Sequence, residues 1–334
     1  MKILLIRLSS IGDIVLTSPV VRAVKTQLKS VELHAITRKS YQSIYELNPH
    51  IDKVFGVEKS PHEILELLKA EKYDLILDLH KNFRSYKLRL ALGVKSYSFP
   101  KLNQKKYLLV RFKIDHMPRL HIVDRYFEAV KPLGVVNDNL GLDFFVSPHE
   151  IEQMPELPDF CSQGYFGVVI GGNHNTKILP VTKLIEVIKQ LPKPAVLLGG
   201  KEDQLRGNEV VSVLGSKVWN ACGKLSLSQS AQIIKDSVAV LTNDTGLMHI
   251  AAAFNKPVVS VWGNTVPQFG MYPYIPQFPE RVSIIENKDL SCRPCSKIGF
   301  DRCPKKHFKC MLDLDEKKIA ESLMSLSQLP QKGC

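Results

Sequence analysis

The chain has 334 residues, 44% hydrophobic and 23% charged, a composition that argues against disorder and suits two domains of ordinary size. It has no apolar run of about eighteen residues, and its short apolar start soon meets Arg7, Gly12 and Asp13. Neither a membrane span nor a signal peptide is therefore expected, and the chain reads as cytoplasmic.

The net charge of +12 is concentrated in one place. Lys81, Arg84, Lys87, Arg89, Lys95, Lys101, Lys105, Lys106, Arg111 and Lys113 follow one another without an acidic residue, while the rest of the chain carries 35 basic residues against 33 acidic ones. A solvated face is the plain reading of a charge run, but a block this one-sided points to an anionic partner such as phosphate. With no secretory signal, the seven cysteines read as free thiols or a metal site rather than disulfides.

In chain order, the β-rich KILLIRL precedes a helix from about Asp13 to Leu28. VELHAI, a helix near Arg38 to Leu47, KVFGV, the helical EILELLKAEK and YDLILDL follow, ahead of the basic segment. Strands alternating with helices predict an α/β fold with a parallel sheet covered on both faces. The helical RLHIVDRYFEAVKPLG stops at a glycine, and the Pro- and Asn-rich stretch after it marks a boundary, giving a first domain over 1–150. The second half repeats the pattern from YFGVVIGG through PVVSVWG as a domain over 160–312. Residues 313–334 form a C-terminal helix, about Glu316 to Leu326, and a tail. Two such units predict a ligand cleft between the carboxyl ends of two sheets.

Three segments carry candidate chemistry. In RLSSIGD a strand turns directly into a helix: Ser9 or Ser10 caps it, Gly12 permits close approach of backbone or ligand, and Asp13 lies in the first turn. With one glycine, this is not the dinucleotide fingerprint. Asp13 is either a carboxylate favoured by the helix dipole or a general base. In SVAVLTNDTGLMHIAAA a buried strand meets a helix near Thr245, where N–H groups unobstructed at Gly246 suit a diphosphate and His249 lies one turn along. Asp244 and Thr245 as plain caps and His249 as a core histidine is the alternative. In GGNHNTKILP, Lys177 is either a surface lysine or a cation for a departing phosphate.

Taken together, the I-R-x-S-S-x-G-D pattern with Thr17 to Pro19, the G-x-x-x-x-x-K-x-x-P loop, the N-D-T-G-x-x-H turn, DLHKNFRS and the C-terminal CRPC…CPKKHFKC resemble glycosyltransferase family 9, the bacterial heptosyltransferases. The resemblance spans Met1 to about Met311. It implies the GT-B fold, two Rossmann-like domains with parallel sheets facing a central cleft. It also implies inverting, metal-independent transfer of heptose from an ADP-heptose donor to the lipopolysaccharide inner core, on lipid A-Kdo or a heptosylated acceptor. Asp13 then matches the catalytic base. Lys177, Asp244, Thr245, Gly246 and His249 match the donor site, with Asp203 a looser match at the ribose and Leu225 at the adenine. Ser10, Gly12, Lys81, Arg84 and Lys87 fall to the acceptor side, with His121 and Arg125 as additions.

No cofactor is required under this reading, and the only D-x-D, Asp313 to Asp315, reads as a helix cap. Cys292, Cys295, Cys303 and Cys310, with His307, have a spacing compatible with a structural zinc. The implied partners are an ADP-sugar, a lipid-linked anionic glycan and the anionic cytoplasmic face of the inner membrane, touched peripherally; nucleic acid is not among them. The chain departs from the family at Leu179, where Trp is usual, and at Gly263-Asn264, where Gly-Pro is usual, so a related transferase with another nucleotide sugar or acceptor stays open. A non-enzymatic basic protein that binds nucleic acid is the third reading; it leaves the N-D-T-G turn unexplained.

Overall fold

The computed structural model describes residues 1–330. They form two compact units, Met1–Leu102 with Leu120–Phe145, and Asn103–Arg119 with Val146 onward. The elements of the first segment are β1 (Lys2–Ile6), α1 (Ile11–Val15), α2 (Ser18–Gln27), β2 (Glu32–Arg38), α3 (Gln42–Glu46), β3 (Lys53–Val57), α4 (Leu65–Ala70), β4 (Leu75–Asp78), α5 (Phe83–Leu92) and β5 (Ser96–Ser98). Next come α6 (Asn103–Phe112), α7 (Ile122–Phe127) and α8 (Pro148–Glu152). The remainder is β6 (Phe166–Val169), α9 (Val181–Gln190), β7 (Ala195–Leu198), α10 (Gln204–Leu214), β8 (Val218–Asn220), α11 (Leu227–Asp236), β9 (Val240–Asn243), α12 (Gly246–Ala253), β10 (Val258–Trp262), β11 (Val282–Glu286), α13 (Lys309–Leu312) and α14 (Glu316–Ser327).

Every strand pair is parallel. The first sheet runs β3-β2-β1-β4-β5 and the second β11-β10-β9-β6-β7-β8. Counted from its own first strand, each sheet has the doubly wound order, in which the chain reverses direction beside that strand. The reversal falls between β1 and β4 in the first unit and between β6 and β9 in the second. At these points the carboxyl ends of adjacent strands send their loops opposite ways, leaving space for a ligand.

The central strands are apolar throughout because both faces are covered. Ile3, Leu4, Leu5 and Ile6 are buried, as are Val258, Val259, Val261 and Trp262. The second unit's core takes in Ile319, Ala320 and Leu323 of α14, so the terminal helix belongs to that unit. Lys183 of α9 pairs with Glu316 at 2.7 Å and fixes its start.

The long helix expected from Asp13 to Leu28 is two helices. Pro19 has no N–H for the carbonyl of Val15, and the Ser18 hydroxyl donates to that carbonyl instead, at 2.7 Å. Around residues 38–47 and 61–70, tighter 3-10 turns precede the short helices α3 and α4. The unit boundary falls at Phe145 rather than 150, because Arg22 of α2 holds the returning chain through Asp138, Asp143 and the carbonyl of Gly141. The basic segment is also divided: α5 lies in the first unit, whereas α6 is grouped with the second. Among the described residues, no helix is long and apolar enough to cross a membrane.

Candidate active site

Both sequence motifs fall at the reversal points. In the first unit, buried Arg7 comes directly after β1, and Asp13 follows in the first turn of α1. The Arg7 guanidinium has several fixed partners. Its Nη2 pairs with Asp13 Oδ1 at 2.5 Å, Nε donates to the Ser9 carbonyl at 2.9 Å, and Nη1 donates to the Leu79 carbonyl and to the Tyr126 hydroxyl. Asp13 Oδ2 accepts from the Ser10 hydroxyl at 3.0 Å and the Ser10 N–H at 3.3 Å. Ser10 therefore caps α1 and at the same time orients the carboxylate.

About a quarter of the Asp13 side chain, 24%, remains exposed. Burial favours its protonated form, but Arg7 and the Ser10 bonds outweigh burial and hold the carboxyl below its usual range. Asp13 is thus an anion at neutral pH. The stability that this pairing adds is present above the ordinary carboxyl value of about 3.9 and is lost as pH falls through the lower folded value.

The DLHKNFRS turn after β4 is built on buried Asp78. Its carboxylate accepts from the N–H groups of His80 and Lys81 and from the Ser85 hydroxyl. Asn82 caps α5 by accepting from the N–H groups of Arg84 and Ser85. Burial, followed by the charges of Arg7 and Lys101, lowers His80 to about 3, so its ring is neutral. Asn82 Nδ2 lies 2.6 Å from His80 Nε2, which leaves the ring proton on Nδ1; that buried atom has no partner among the described residues. The Lys81 ammonium donates to the Phe99 carbonyl, while Arg84 and Lys87 are exposed on α5. His121 and Arg125 are different. Each is at most 2% exposed, the former capping α7 through Nδ1.

In the second unit, Lys177 lies in the loop after β6, and Asp244 and Thr245 follow β9. Lys177 Nζ pairs with Asp244 Oδ2 at 2.6 Å, and Oδ2 also accepts from the Thr265 hydroxyl at 2.9 Å. Buried Asn243 ties the two loops together: its Oδ1 accepts from the Leu179 N–H, and its Nδ2 donates to the carbonyls of Val169 and Gly171. Leu179 thus fills a core position in this chain. Thr245 stands at the start of α12 without a capping bond from its side chain, and its buried Oγ1 has no partner among the described residues. That hydroxyl and the N–H groups of the first turn are donors suited to an anion.

Asp203 and Leu225 follow β7 and β8 on the same edge of the sheet. The Asp203 carboxylate is 2% exposed and already engaged, by the Gly200 N–H at 3.0 Å and by Arg206 at 2.6 Å. Its neighbour Glu202 is the exposed acid at this strand end. Leu225 is half-buried beside Ser226, which caps α11. His249 is 3% exposed, on the inner side of α12.

Sequence reasoning assigned no role to Arg7, His80, Asn243, Thr265 or Asn264. Arg7 was the legible one, a cation placed directly after a fully apolar strand. Asn264 is buried, and neither its Oδ1 nor its Nδ2 has a partner among the described residues. An unmet buried polar group costs on the order of 1–3 kcal/mol, so it marks a place for water or a polar ligand. Gly263 before it lets the Thr176 carbonyl approach closer than any side chain would allow.

Comparison with known proteins places this geometry. The profile of Glycosyltransferase family 9 (heptosyltransferase) matches residues 62–304. Lipopolysaccharide heptosyltransferase 1 of Campylobacter coli is 25% identical over 295 residues, covering 79% of this chain and 84% of that protein. Lipooligosaccharide heptosyltransferase 2 of Haemophilus influenzae is 23% identical over 364 aligned positions, covering 98% and 99%. Among solved structures, E. coli ADP-heptose lipopolysaccharide heptosyltransferase II superposes with a TM-score of 0.72 at 21% identity, covering 98% of each chain. The two Rossmann-like units are those of the GT-B fold. With the family profile spanning well over half its length, the chain belongs to glycosyltransferase family 9, the heptosyltransferase family.

Proposed function

We propose that this enzyme transfers heptose, with inversion and without a metal in the chemical step, from an ADP-heptose donor to a lipid-linked lipopolysaccharide inner-core acceptor at the cytoplasmic side. The observation that carries the reading is Asp13: an ionised carboxylate, oriented by Arg7 and Ser10 at the reversal point of the first sheet and still open to solvent. The name of the E. coli neighbour supports ADP-heptose as donor.

In this mechanism the bond from the anomeric carbon to the β-phosphate breaks, and ADP leaves with the electron pair. The acceptor hydroxyl forms the new bond on the opposite face and passes its proton to Asp13. Because the transition state is oxocarbenium-like, the attacking oxygen becomes strongly acidic as its bond forms. A carboxylate of low basicity is then sufficient as acceptor. Lys177 and the donors of Thr245 and Gly246 stabilise the charge that develops on the leaving diphosphate. Glu202 is better placed than the engaged Asp203 to meet the ribose.

The pH profile separates this base from a histidine. Since Asp13 is held below the usual carboxylate range and His80 lies at about 3, kcat/KM should show no acidic limb near pH 6. A limb there, abolished by His80→Gln and not by Asp13 variants, would transfer the base role to the imidazole. An Arg7→Gln variant should raise the Asp13 value and move any acidic limb upward.

On the acceptor side, α5 presents Phe83, Tyr86 and Leu90 largely exposed, interleaved with Arg84 and Lys87, while Ser85 and Leu88 face inward. Lys87 rests over the Phe83 ring at 4.5 Å. Aromatic and basic groups on one face suit a lipid-linked, phosphate-rich glycan and the anionic membrane that holds it. Co-sedimentation with phosphatidylglycerol vesicles should exceed that with neutral vesicles and fall with salt. Arg84→Glu with Lys87→Glu should weaken it by about tenfold or more, at roughly 1 kcal/mol per charge. Equal binding to neutral vesicles would remove the electrostatic part of this reading.

One observation favours a second reading of the donor. Asn264 replaces the family's usual proline and places an unmet amide in the loop after β10, next to Thr265, which bonds Asp244. A panel of ADP-sugars differing at single hydroxyls should reveal a preference that Asn264→Pro alters; an unchanged preference would leave heptose favoured.

A further inference from the structure

Besides α5 of the first unit, a cationic and aromatic surface exists on the second unit, built by α6 and the loop before α13. α6 turns one side inward and leaves the other bare. Leu109 is buried, and the Lys106 ammonium lies 5.8 Å from the centre of the Phe269 ring, so this stripe anchors the helix. Just beyond the helix, Lys113 donates to the carbonyls of Cys292 and Pro294 at 3.0 and 2.7 Å.

The outward side carries Gln104, Tyr107, Leu108 and Arg111 at helical spacing. A shallow hollow lined by Asn103, Gln104, Tyr107 and Leu108 opens there. Tyr107 and Phe112 are each more than half exposed and meet edge to face, with ring centres 6.0 Å apart; Ile114 follows, 45% exposed. Single exposed apolar side chains are ordinary, but two touching rings followed by an isoleucine form a patch.

The patch is surrounded by positive charge. Lys105 and Arg111 flank the rings and are exposed, and the first acid after them, Asp115, is paired with Arg119 at 3.0 Å. The Lys113 tether brings a second cationic run to the same place: Cys292, whose carbonyl it holds, has its Sγ 3.7 Å from His307 Nε2. Around His307, Arg302, Lys305, Lys306 and Lys309 are all exposed, and Asp301 is the one acid from 301 to 309. Two chain segments far apart in sequence thus present one cationic surface with an aromatic and aliphatic centre.

This combination selects among polyanions. A nucleic acid is met by cations and stacking rings, but it offers nothing to Ile114 or to the Leu108 floor of the hollow. The edge of a bilayer offers both phosphates for the cations and hydrocarbon for the apolar groups, and aromatic rings are favoured at that boundary.

We infer that α6 and the 302–309 run dock the second unit on an anionic lipid bilayer. Tyr107, Phe112 and Ile114 enter the boundary between headgroups and acyl chains, while Lys105, Arg111 and the cations around His307 meet the lipid phosphates. The surface holds the enzyme on the membrane without touching the acceptor. Its use in catalysis rests on the reading that the acceptor is lipid-linked; the docking itself does not depend on which sugar is moved.

The test is made on the full chain carrying Phe112→Trp, with vesicles of phosphatidylglycerol and phosphatidylcholine whose acyl chains are brominated. The two native tryptophans, Trp219 and Trp262, lie in β8 and β10, and the unaltered chain gives their contribution. The introduced tryptophan is expected to shift to the blue on vesicles and to be quenched by the bromines, beyond any change in the unaltered chain. Lys105→Glu with Arg111→Glu should weaken co-sedimentation by about twentyfold or more, at roughly fivefold per charge lost. Tyr107→Ala with Phe112→Ala should weaken it with the charge unchanged. Transfer to a water-soluble acceptor, lipid A-Kdo freed of its acyl chains, should be unaltered in both double variants, which separates docking from the reaction. If no sugar is transferred at all, the quenching and sedimentation arms still decide. A tryptophan at 112 that stays unquenched on the vesicle-bound chain would overturn the proposal, as would double variants that sediment like the unaltered chain. Binding to a single-stranded oligonucleotide that is tighter than to vesicles, and lost in the same variants, would give the surface to nucleic acid instead.

Discussion

Asp13→Asn is expected to lower kcat for sugar transfer by about a hundred- to ten-thousand-fold, the range of general-base catalysis, while ADP affinity stays within about twofold. The substitution keeps the shape of the side chain and its Ser10 contacts but removes the charge that Arg7 holds and the site that receives the proton. Stability should fall as well, because Arg7 is buried and loses its anionic partner. A fall in turnover much larger than the fall in folded fraction, read by calorimetry on the same sample, separates the two effects. Should turnover persist within a few-fold, Asp13 is a structural anion for Arg7 and the base lies elsewhere, with His80 the next residue to examine.

Lys177→Ala is expected to lower kcat by about a hundred- to a thousand-fold, the effect typical of removing one donor from a developing oxyanion, and to raise KM for the donor. In the free enzyme Lys177 is paired with Asp244, which also accepts from Thr265. On the proposed mechanism a donor diphosphate would compete with Asp244 for the same ammonium. Lys177→Arg keeps the charge but not its point geometry and should recover part of the activity. A Lys177→Ala enzyme with unaltered kcat would assign the lysine to holding Asp244 in place, and the leaving-group role would pass to the α12 start.

Much of this arrangement was legible because strand-to-helix turns have local signatures. The apolar run KILLI followed by RLSSIGD, and SVAVLTND followed by TGLMH, mark strand ends that open directly onto helices, and both lie at reversal points of the sheets. What escaped is tertiary. The break between α1 and α2 depends on a serine hydroxyl replacing a proline's missing donor. The placement of α6 with the second unit depends on contacts such as Lys113 to Cys292, 179 residues away in the chain. No local pattern distinguishes Asp203, folded back onto Gly200 and Arg206, from Glu202, one position earlier and exposed. Arg125 shows the same limit, since a charged residue in an apolar helix reads as a surface group until its surroundings are known.

The charge block shows how sequence and structure complement each other. Its one-sidedness was evident from composition, but its division between α5 and α6 was not. The exposure of Phe83 and Tyr86 among the basic residues of α5 became visible only with burial.

The most direct test of the account is transfer itself. The purified chain is incubated with ADP-heptose and a Kdo-bearing lipid A acceptor, ADP release is measured against product mass, and the anomeric configuration of the product is read by NMR. One heptose added per ADP released, an inverted anomeric centre and turnover that Asp13→Asn lowers by about a hundredfold or more are expected. Retention of configuration, or ADP release that Asp13→Asn leaves unchanged, would contradict it.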